Sequence, residues 1–459
     1  MPRSPYSSEL GLESMRALLK VGSPLGPLKV MAEHVGRFFQ IPLPGFKPYV
    51  VFGPESNRKV LVTERDKVLW RNHDPVTDLL RRGVLVTDGE EHDQYRKLME
   101  PSLHPSQLDG YTQMMIEKTE QVIAKWHDGQ NVDMLVESRK IALLIIMQAL
   151  FNKDAWDDLP RIWTPILKAI EYISPGAWIL WRKIPRPGYR RHLRALDEYL
   201  YGIISERRKI SMNNVILRSD SDEESLISKG NTKLKRDSSL LSVAQNDINH
   251  DLLQHLIDAR LDDQTIRDQM LTMLIAGHDT STALLAWVFA LLGGHSEIHQ
   301  QLVRDLEHDD RPPLLDQIIK EALRLFPPIH IGNRMVAEDM EFEGGTVPAG
   351  ARMFYSIYLT QRDPSIWENA EEFCPARFER GRKTPPFSYI PFGGGPRACI
   401  GAAFGQAEAR LVLAYLLKNF EFTALNADEI RPHMGATLEP RPGVMMRVTR
   451  REQRVEIRE

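Results

Sequence analysis

Apolar residues recur at helical spacing over much of the first half of the chain, from about Glu90 to Arg208. Leu135 to Leu150 forms one long apolar-faced segment and Ala195 to Arg208 another. Ahead of them, Arg37 to Gln40 and Tyr49 to Phe52 read as short strands, separated by Pro44 and Gly45. The composition then breaks. Ser211 to His250 is rich in Ser, Asp, Asn and Lys and poor in large apolar groups, the signature of a disordered surface insertion. Helical periodicity resumes at Asp251, and Asp263 to Leu292 is apolar enough to run through a core. Asp310 is placed to cap a helix that opens at Pro312 and Pro313 and closes before Pro327 and Pro328. Beyond it the period changes. Glu341 to Tyr358 alternates, with turn signals at Gly344–Gly345 and Pro348–Gly350, and is expected to be β-structure. An irregular stretch, Asp363 to Pro396, leads into a last helix from about Ile400 to Asn419, and Met434 to Val448 is expected to form a hairpin. The pattern predicts a mainly α protein with smaller β-sheets (α+β), without repeats or a second core. Residues 1–459 are therefore expected to form a single domain, with the insertion at about 211–250 on its surface.

Composition narrows the class of function. A formal net charge of −3 gives no basic field, so no nucleic-acid partner is expected. Two cysteines, Cys374 and Cys399, in so long a chain point to a reducing interior rather than a disulfide framework. The longest candidate, Ile141 to Phe151, contains Gln148 and falls short of the roughly 18–20 residues a membrane span needs. The N-terminal residues lack an apolar run ending in a small-residue cleavage site. The expectation is a cytoplasmic protein with no transmembrane segment.

The most informative stretch runs from Phe392 to Gly401, FGGGPRACIG. Consecutive glycines Gly393, Gly394 and Gly395 open backbone conformations closed to other residues and let a flat ligand approach. Cys399 stands just before a helix, where N–H groups and the positive helix end favour a thiolate, the form a metal needs. Arg397 beside it is placed to pair with a carboxylate of the same ligand. A buried structural cysteine after a glycine turn is the alternative, and for a lone cysteine the commoner one. A phosphate cradle is disfavoured, because no Lys-Ser/Thr follows the glycines.

This stretch closely resembles the haem-binding signature of the cytochrome P-450 family, the haem-thiolate monooxygenases: Phe392, Gly395, Cys399 and Gly401 stand at its spacing. The resemblance implies the P-450 fold, with haem b between a long central helix and the Cys-bearing loop. It also implies Cys399 as iron ligand, a thiolate that favours O–O cleavage, with Phe392 shielding the sulfur and Arg397 on a haem propionate.

Three further motifs extend it. Glu321 and Arg324, at i and i+3, share a helix face and alone would read as a surface ion pair of little worth. By resemblance they form a buried structural network with Arg377, in Phe373–Phe378, and Cys374 lies away from the iron. Ala276–Ser281 (AGHDTS) interrupts an apolar helix with polar groups; Gly277 costs about 1 kcal/mol relative to Ala. Thr280 is placed to bond back to the Ala276 carbonyl. An acid next to an alcohol in an apolar setting suits proton transfer, although a kinked core helix fits the residues equally well. By resemblance this is the oxygen-activation motif, with Thr280 hydrogen bonding on the oxygen side of the haem and Asp279 supplying protons. His278 falls at a variable position. His92 and Arg96, four apart, resemble the family's propionate-binding pair, and Arg334 a further propionate ligand; a solvated helix face is the alternative for each.

The function implied is insertion of one atom of O2 into a lipophilic organic substrate. A separate ferredoxin- or flavodoxin-type donor with its reductase would supply electrons, since the chain has no Cys cluster and no flavin domain. Arg382, Lys383 and Arg410 are candidate docking residues for that donor. A peroxide-driven or isomerising haem-thiolate enzyme and a non-catalytic haem-binding sensor are the alternatives, disfavoured by the Asp279–Thr280 pair. Ile275, Ala276, Ile329 and Ile331 are expected to line an apolar pocket. Trp178 to Trp181, followed by Arg182 and Lys183, is expected to pack as a lid, with a membrane-surface contact as the other reading. The protein is expected to act as a monomer.

Overall fold

The computed structural model describes residues 8–43, 45–70, 74–176, 186–227 and 251–451. Seven helices position the site: α1 (Gly89–Leu103), α2 (Met134–Phe151), α3 (Leu159–Ile173), α4 (Pro187–Ile227), α5 (Asp263–Gly294), α6 (Pro313–Leu325) and α7 (Ala402–Asn419). The central one, α5, starts where the Asp262 carboxylate accepts the Thr265 N–H at 2.9 Å. It is buried on nearly every side, which is why its sequence is apolar all round. Among the described residues it alone is long and apolar enough to cross a membrane, but 78% of its most apolar window is buried inside the protein, so it is a core helix. Helix α2, capped by Asp133 on the Leu135 N–H at 3.0 Å, lies against it. A Cβ on Gly277 would stand 2.6 Å from Ile146 Cδ1, so glycine there permits this close crossing.

The sheets are small. Strands β1 (Phe38–Gln40), β2 (Tyr49–Val51) and β3 (Val68–Leu69) join the later β5 (Ile331–Val336) and β6 (Arg352–Ser356) in a sheet of order β1-β2-β6-β5-β3. Its β2–β6 pair is parallel. A short strand between α-helical segments, β4 (Gln130–Asp133), was not expected. It pairs with the C-terminal strand β10 (Met445–Arg450), which pairs on its other side with β7 (Phe420–Ala424). The stretch Glu341–Tyr358 holds a Met340–Phe342/Gly345–Val347 hairpin and β6, and ends in a helical turn.

Three expectations are corrected. Met434–Val448 is not one hairpin: β8 (Arg431–Met434) pairs with β9 (Leu438–Arg441), and β10 leaves for the other sheet. Gly443 makes the departure possible, holding φ +154° against Asp133. Asp310 does not cap α6. Pro312 occupies that position and has no side-chain acceptor to offer as a cap, and Asp310 pairs instead with Lys418. Finally, α4 continues to Ile227, well into the segment expected to be disordered. Extending an existing helix adds a hydrogen bond per residue without a nucleation cost, so polar composition alone does not stop it. Residues 228–250 and the Trp178–Trp181 segment lie outside the described residues.

Candidate active site

The Cys399 loop is built by its glycines. Gly393 and Gly395 hold φ of +70° and +65°, and a Cβ on Gly395 would run into the Leu61 carbonyl. The Cys399 N–H donates to the Phe392 carbonyl at 2.8 Å, closing the loop. Arg96 Nη1 pins it from α1 by donating to the Ala398 carbonyl at 2.7 Å. Gly401 caps α7 and its N–H bonds the thiol. Cys399 is open rather than packed in core. Protein nevertheless surrounds it closely enough that desolvation raises its thiol pKa, outweighing the Gly401 N–H and Arg96. The expected thiolate is therefore not supplied by the helix end alone. A coordinated metal cation deprotonates such a thiol outright, so this donor fits an iron ligand.

Four positively chargeable groups from three segments surround this loop. Arg397 Nη2 donates to the Thr87 carbonyl at 2.6 Å and to Asp88 Oδ1 at 2.5 Å. Arg334, on β5, lies 5.1 Å from the Trp70 ring and 5.5 Å from that of Tyr355. Burial lowers the Arg397 pKa, and Arg334 lowers it further. Burial likewise lowers His92, with Arg397 and Arg96 adding to the effect, although its Nδ1 sits 2.8 Å from Asp93 Oδ1. Mutual repulsion of this kind is a cost that a bound dianion relieves. The two propionates of haem match that demand, so the residues present fit the group.

On α5, Ala276 is exposed and Thr280 half-buried on an otherwise buried helix, one turn apart and so on one face. Thr280 Oγ1 donates to the Ala276 carbonyl at 2.7 Å, as its position required. Leu85 and Ile329 are also open, 40% and 42% exposed. Leu85 sits on a loop held to α5 by the Val84 N–H on Gln269 Oε1 at 2.8 Å. Of the expected pocket residues, Ala276 and Ile329 are thus open, Ile331 is half-buried and Ile275 is packed in the core.

Asp279 points the other way, into the interior. Its Oδ2 accepts from Thr437 Oγ1 at 2.8 Å, and Arg139 Nη2 lies 3.6 Å from its Oδ1. Burial and the Glu439 charge push its pKa up to about 6. His278 is buried, pushed down to about 3 by desolvation, and its Nε2 lies 3.2 Å from the Arg139 carbonyl; it is a neutral packing residue. Ser281 donates to Glu408 Oε2 at 2.6 Å, and burial pushes that carboxyl up to about 8. The sequence reading missed Arg139, Thr437, Glu439 and Glu408. The only signal was a charge within an apolar helix at Arg139 and at Glu408.

Glu321 and Arg324 are fully buried and bidentate, at 2.7 and 2.8 Å. Arg377 Nε and the Cys374 N–H reach the same carboxylate at 3.3 and 2.9 Å. Arg324 also donates to the carbonyls of Gln361, Ala370 and Glu372. This is an interior network and not a surface pair. Of the expected docking cations, Arg410 is paired with Asp316 and Arg382 lies 3.9 Å from Glu379.

An open cysteine on a glycine loop, with three arginines and a histidine around it, stands beside a mostly helical body. The cytochrome P450 family model matches residues 18–448, and the chain belongs to that family. It is 28% identical to pentalenene oxygenase of Streptomyces avermitilis, over 93% of each chain. It is also 28% identical to cyclooctat-9-en-7-ol 5-monooxygenase of Streptomyces melanosporofaciens, over 90% of this chain and 87% of that one. In fold it is similar to retinoic acid-bound cyanobacterial CYP120A1, with a TM-score of 0.77 and 22% identity over 95% and 96% of the two chains. Haem is accordingly its cofactor. The enzyme is an oxidoreductase that incorporates molecular oxygen, working with an electron donor and a lipophilic substrate.

Proposed function

We propose that the chain oxygenates a cyclic terpene or a hydrocarbon of similar shape, with Cys399 as the residue that would hold the haem iron. The observation that carries the ligand assignment is the open Cys399 beside three arginines, Arg96, Arg334 and Arg397, and the imidazole of His92. Those four hold the propionates, and Phe392 and Gly401 shape the sulfur's surroundings. When bound, the haem supplies the activation of O2. The overall change places one oxygen atom in a C–H bond and releases the other as water, consuming two electrons and two protons.

The chain's own residues do the rest. Leu85, Ala276 and Ile329 offer the apolar surface that takes a substrate without polar anchors. Thr280 holds a hydroxyl at the open face of α5, and Asp279, behind it, has a proton affinity suited to transfer near neutral pH. A separate ferredoxin- or flavodoxin-type donor with its reductase brings the electrons, and the enzyme acts as a monomer in the cytoplasm. The substrate class draws support from the two relatives, named for pentalenene and cyclooctat-9-en-7-ol.

The reduced carbon-monoxide complex should show the red-shifted Soret band of a thiolate haem. Cys399→His should abolish it and Cys374→Ser should leave it; an unchanged band in Cys399→His would refute the ligand assignment. A panel of cyclic terpenes should then shift the haem spin state on binding. Shifts from straight-chain fatty acids alone would overturn the substrate class.

A further inference from the structure

The mechanism above uses Asp279 but not the groups that surround it, and they come from three separate parts of the chain. From α2, Arg139 Nη2 lies between two carboxylates, 3.6 Å from Asp279 Oδ1 and ion-paired with Glu439 Oε1. From the β8–β9 hairpin, Thr437 Oγ1 donates to Asp279 Oδ2 at 2.8 Å. Glu439 Oε2 accepts from Arg441 Nη2 at 3.0 Å. His433 stands opposite Glu439 in the hairpin register. From α5 itself comes His278, neutral and turned toward the Arg139 carbonyl. The series runs outward, from an Asp279 side chain 2% exposed, through Glu439 at 7%, to Arg441 at 52%. Three buried atoms of the cluster, Asp279 Oδ1, Arg139 Nε and His278 Nδ1, have no hydrogen-bond partner among the described residues. A polar cluster built only to hold the fold is normally satisfied throughout. This one keeps donor and acceptor capacity beside the group that must gain and lose a proton.

We propose that Thr437 and Glu439 are positioning residues for proton delivery, which set from opposite sides how firmly Asp279 holds the proton it passes toward Thr280. The inference rests on Asp279 being the proton donor of the reaction. Thr437 donates its hydrogen bond to the charged carboxylate and so favours release. Glu439 places a second negative charge beyond Arg139 and so favours retention. Arg139 is shared between the two carboxylates, so any change at one is felt at the other. The hairpin also reaches the substrate side. Its Ala436 N–H donates to Ser174 Oγ, at the end of α3, at 3.0 Å, and its Leu438 N–H to the Pro328 carbonyl, next to the open Ile329, at 2.9 Å. One two-stranded element thus bonds both Pro328, beside the open Ile329, and Asp279.

The test uses the holoenzyme and two readouts. The first is the infrared band of the protonated Asp279 carboxyl, assigned by its loss in Asp279→Asn and followed across pH. The second is the share of NADPH electrons that reach product rather than hydrogen peroxide, followed over the same range. Glu439→Gln should move the Asp279 titration and the pH dependence of coupling to lower pH. Thr437→Val should move both to higher pH, and Glu439→Asp should stay near the wild-type curves. A purely structural role would not separate the two variants by direction. Movement in the same direction, or none in either, overturns the proposal. Should Glu439→Gln fail to bind haem, Thr437→Val alone decides, an upward move supporting the proposal and its absence overturning it. An unchanged pH profile of coupling in Asp279→Asn would instead refute Asp279 as the proton donor, a result separate from the hairpin's failure.

Discussion

Thr280 and Asp279 are neighbours in sequence with opposite surroundings, because successive helical residues point about 100° apart. Thr280 turns to the open face shared with Ala276, and Asp279 turns into a cluster drawn from α2 and the β8–β9 hairpin. On the proposed reading, a hydroxyl at the reacting face and a reservoir behind it divide the work of proton delivery between them. Thr280→Ala should therefore still bind haem and still consume NADPH. A larger share of that consumption should appear as hydrogen peroxide, measured by peroxide-trapping assay against product yield. Unchanged coupling would remove Thr280 from the mechanism. The acid–alcohol pair was visible in the sequence as polar residues breaking an apolar run. Its partners were not, since Thr437 and Glu439 lie 158 and 160 residues away.

The element whose placement matters most is the irregular chain between β6 and α7, whose own hydrogen bonds close local turns. It is fixed by α6. Arg324 gathers the carbonyls of Gln361, Ala370 and Glu372, while Glu321 takes the Cys374 N–H and Arg377. The pair is fully buried, so removing one partner leaves an uncompensated charge at a cost of roughly 3–5 kcal/mol. An exposed pair would be worth about 1 kcal/mol or less. Glu321→Ala is expected to lose haem loading and to unfold at markedly lower urea concentration, rather than to act as a slow but stable enzyme. A fully loaded Glu321→Ala protein of wild-type stability would show that the network does not hold the loop. At this scale Glu321 and Arg324 could be read as sharing a helix face, but their burial could not, because i, i+3 spacing is the same on a core face and on a wet one.

Across the whole molecule, Glu408 ties the helix that follows the cysteine loop to the central helix. Among the described residues its only side-chain partner is the Ser281 hydroxyl, and Oε1 has none. Burial holds the carboxyl protonated, with a pKa of about 8 against 4.5 for the unfolded group. Between those values the folded state binds a proton that the unfolded state has lost. Its stabilising contribution is thus complete below about pH 4.5 and is lost as the pH rises through about 8. The full swing is on the order of 5 kcal/mol. Glu408→Gln, which cannot ionise, should flatten the decline in unfolding free energy of the holoprotein between about pH 5 and 8. Parallel pH profiles for the two proteins would mean that Glu408 is hydrated or paired in solution.

The sequence by itself determined the elements and the chemistry carried on single segments. Apolar runs of helical period became α2, α5 and α7 within a few residues of their expected ends, and the glycines of Phe392–Gly401 marked the loop that carries Cys399. Both are local. A helix needs only its own periodicity, and a glycine loop only its own φ angles. Tertiary structure decided which polar residues meet. It turned the expected C-terminal hairpin into strands of two sheets, brought Glu439 and Thr437 to Asp279, and brought Glu408 to Ser281. It also decided that burial outweighs the helix end at Cys399. Such meetings join segments far apart in the chain, and the charge state of each group depends on how much water the assembled fold leaves around it. No local pattern of residues encodes that quantity.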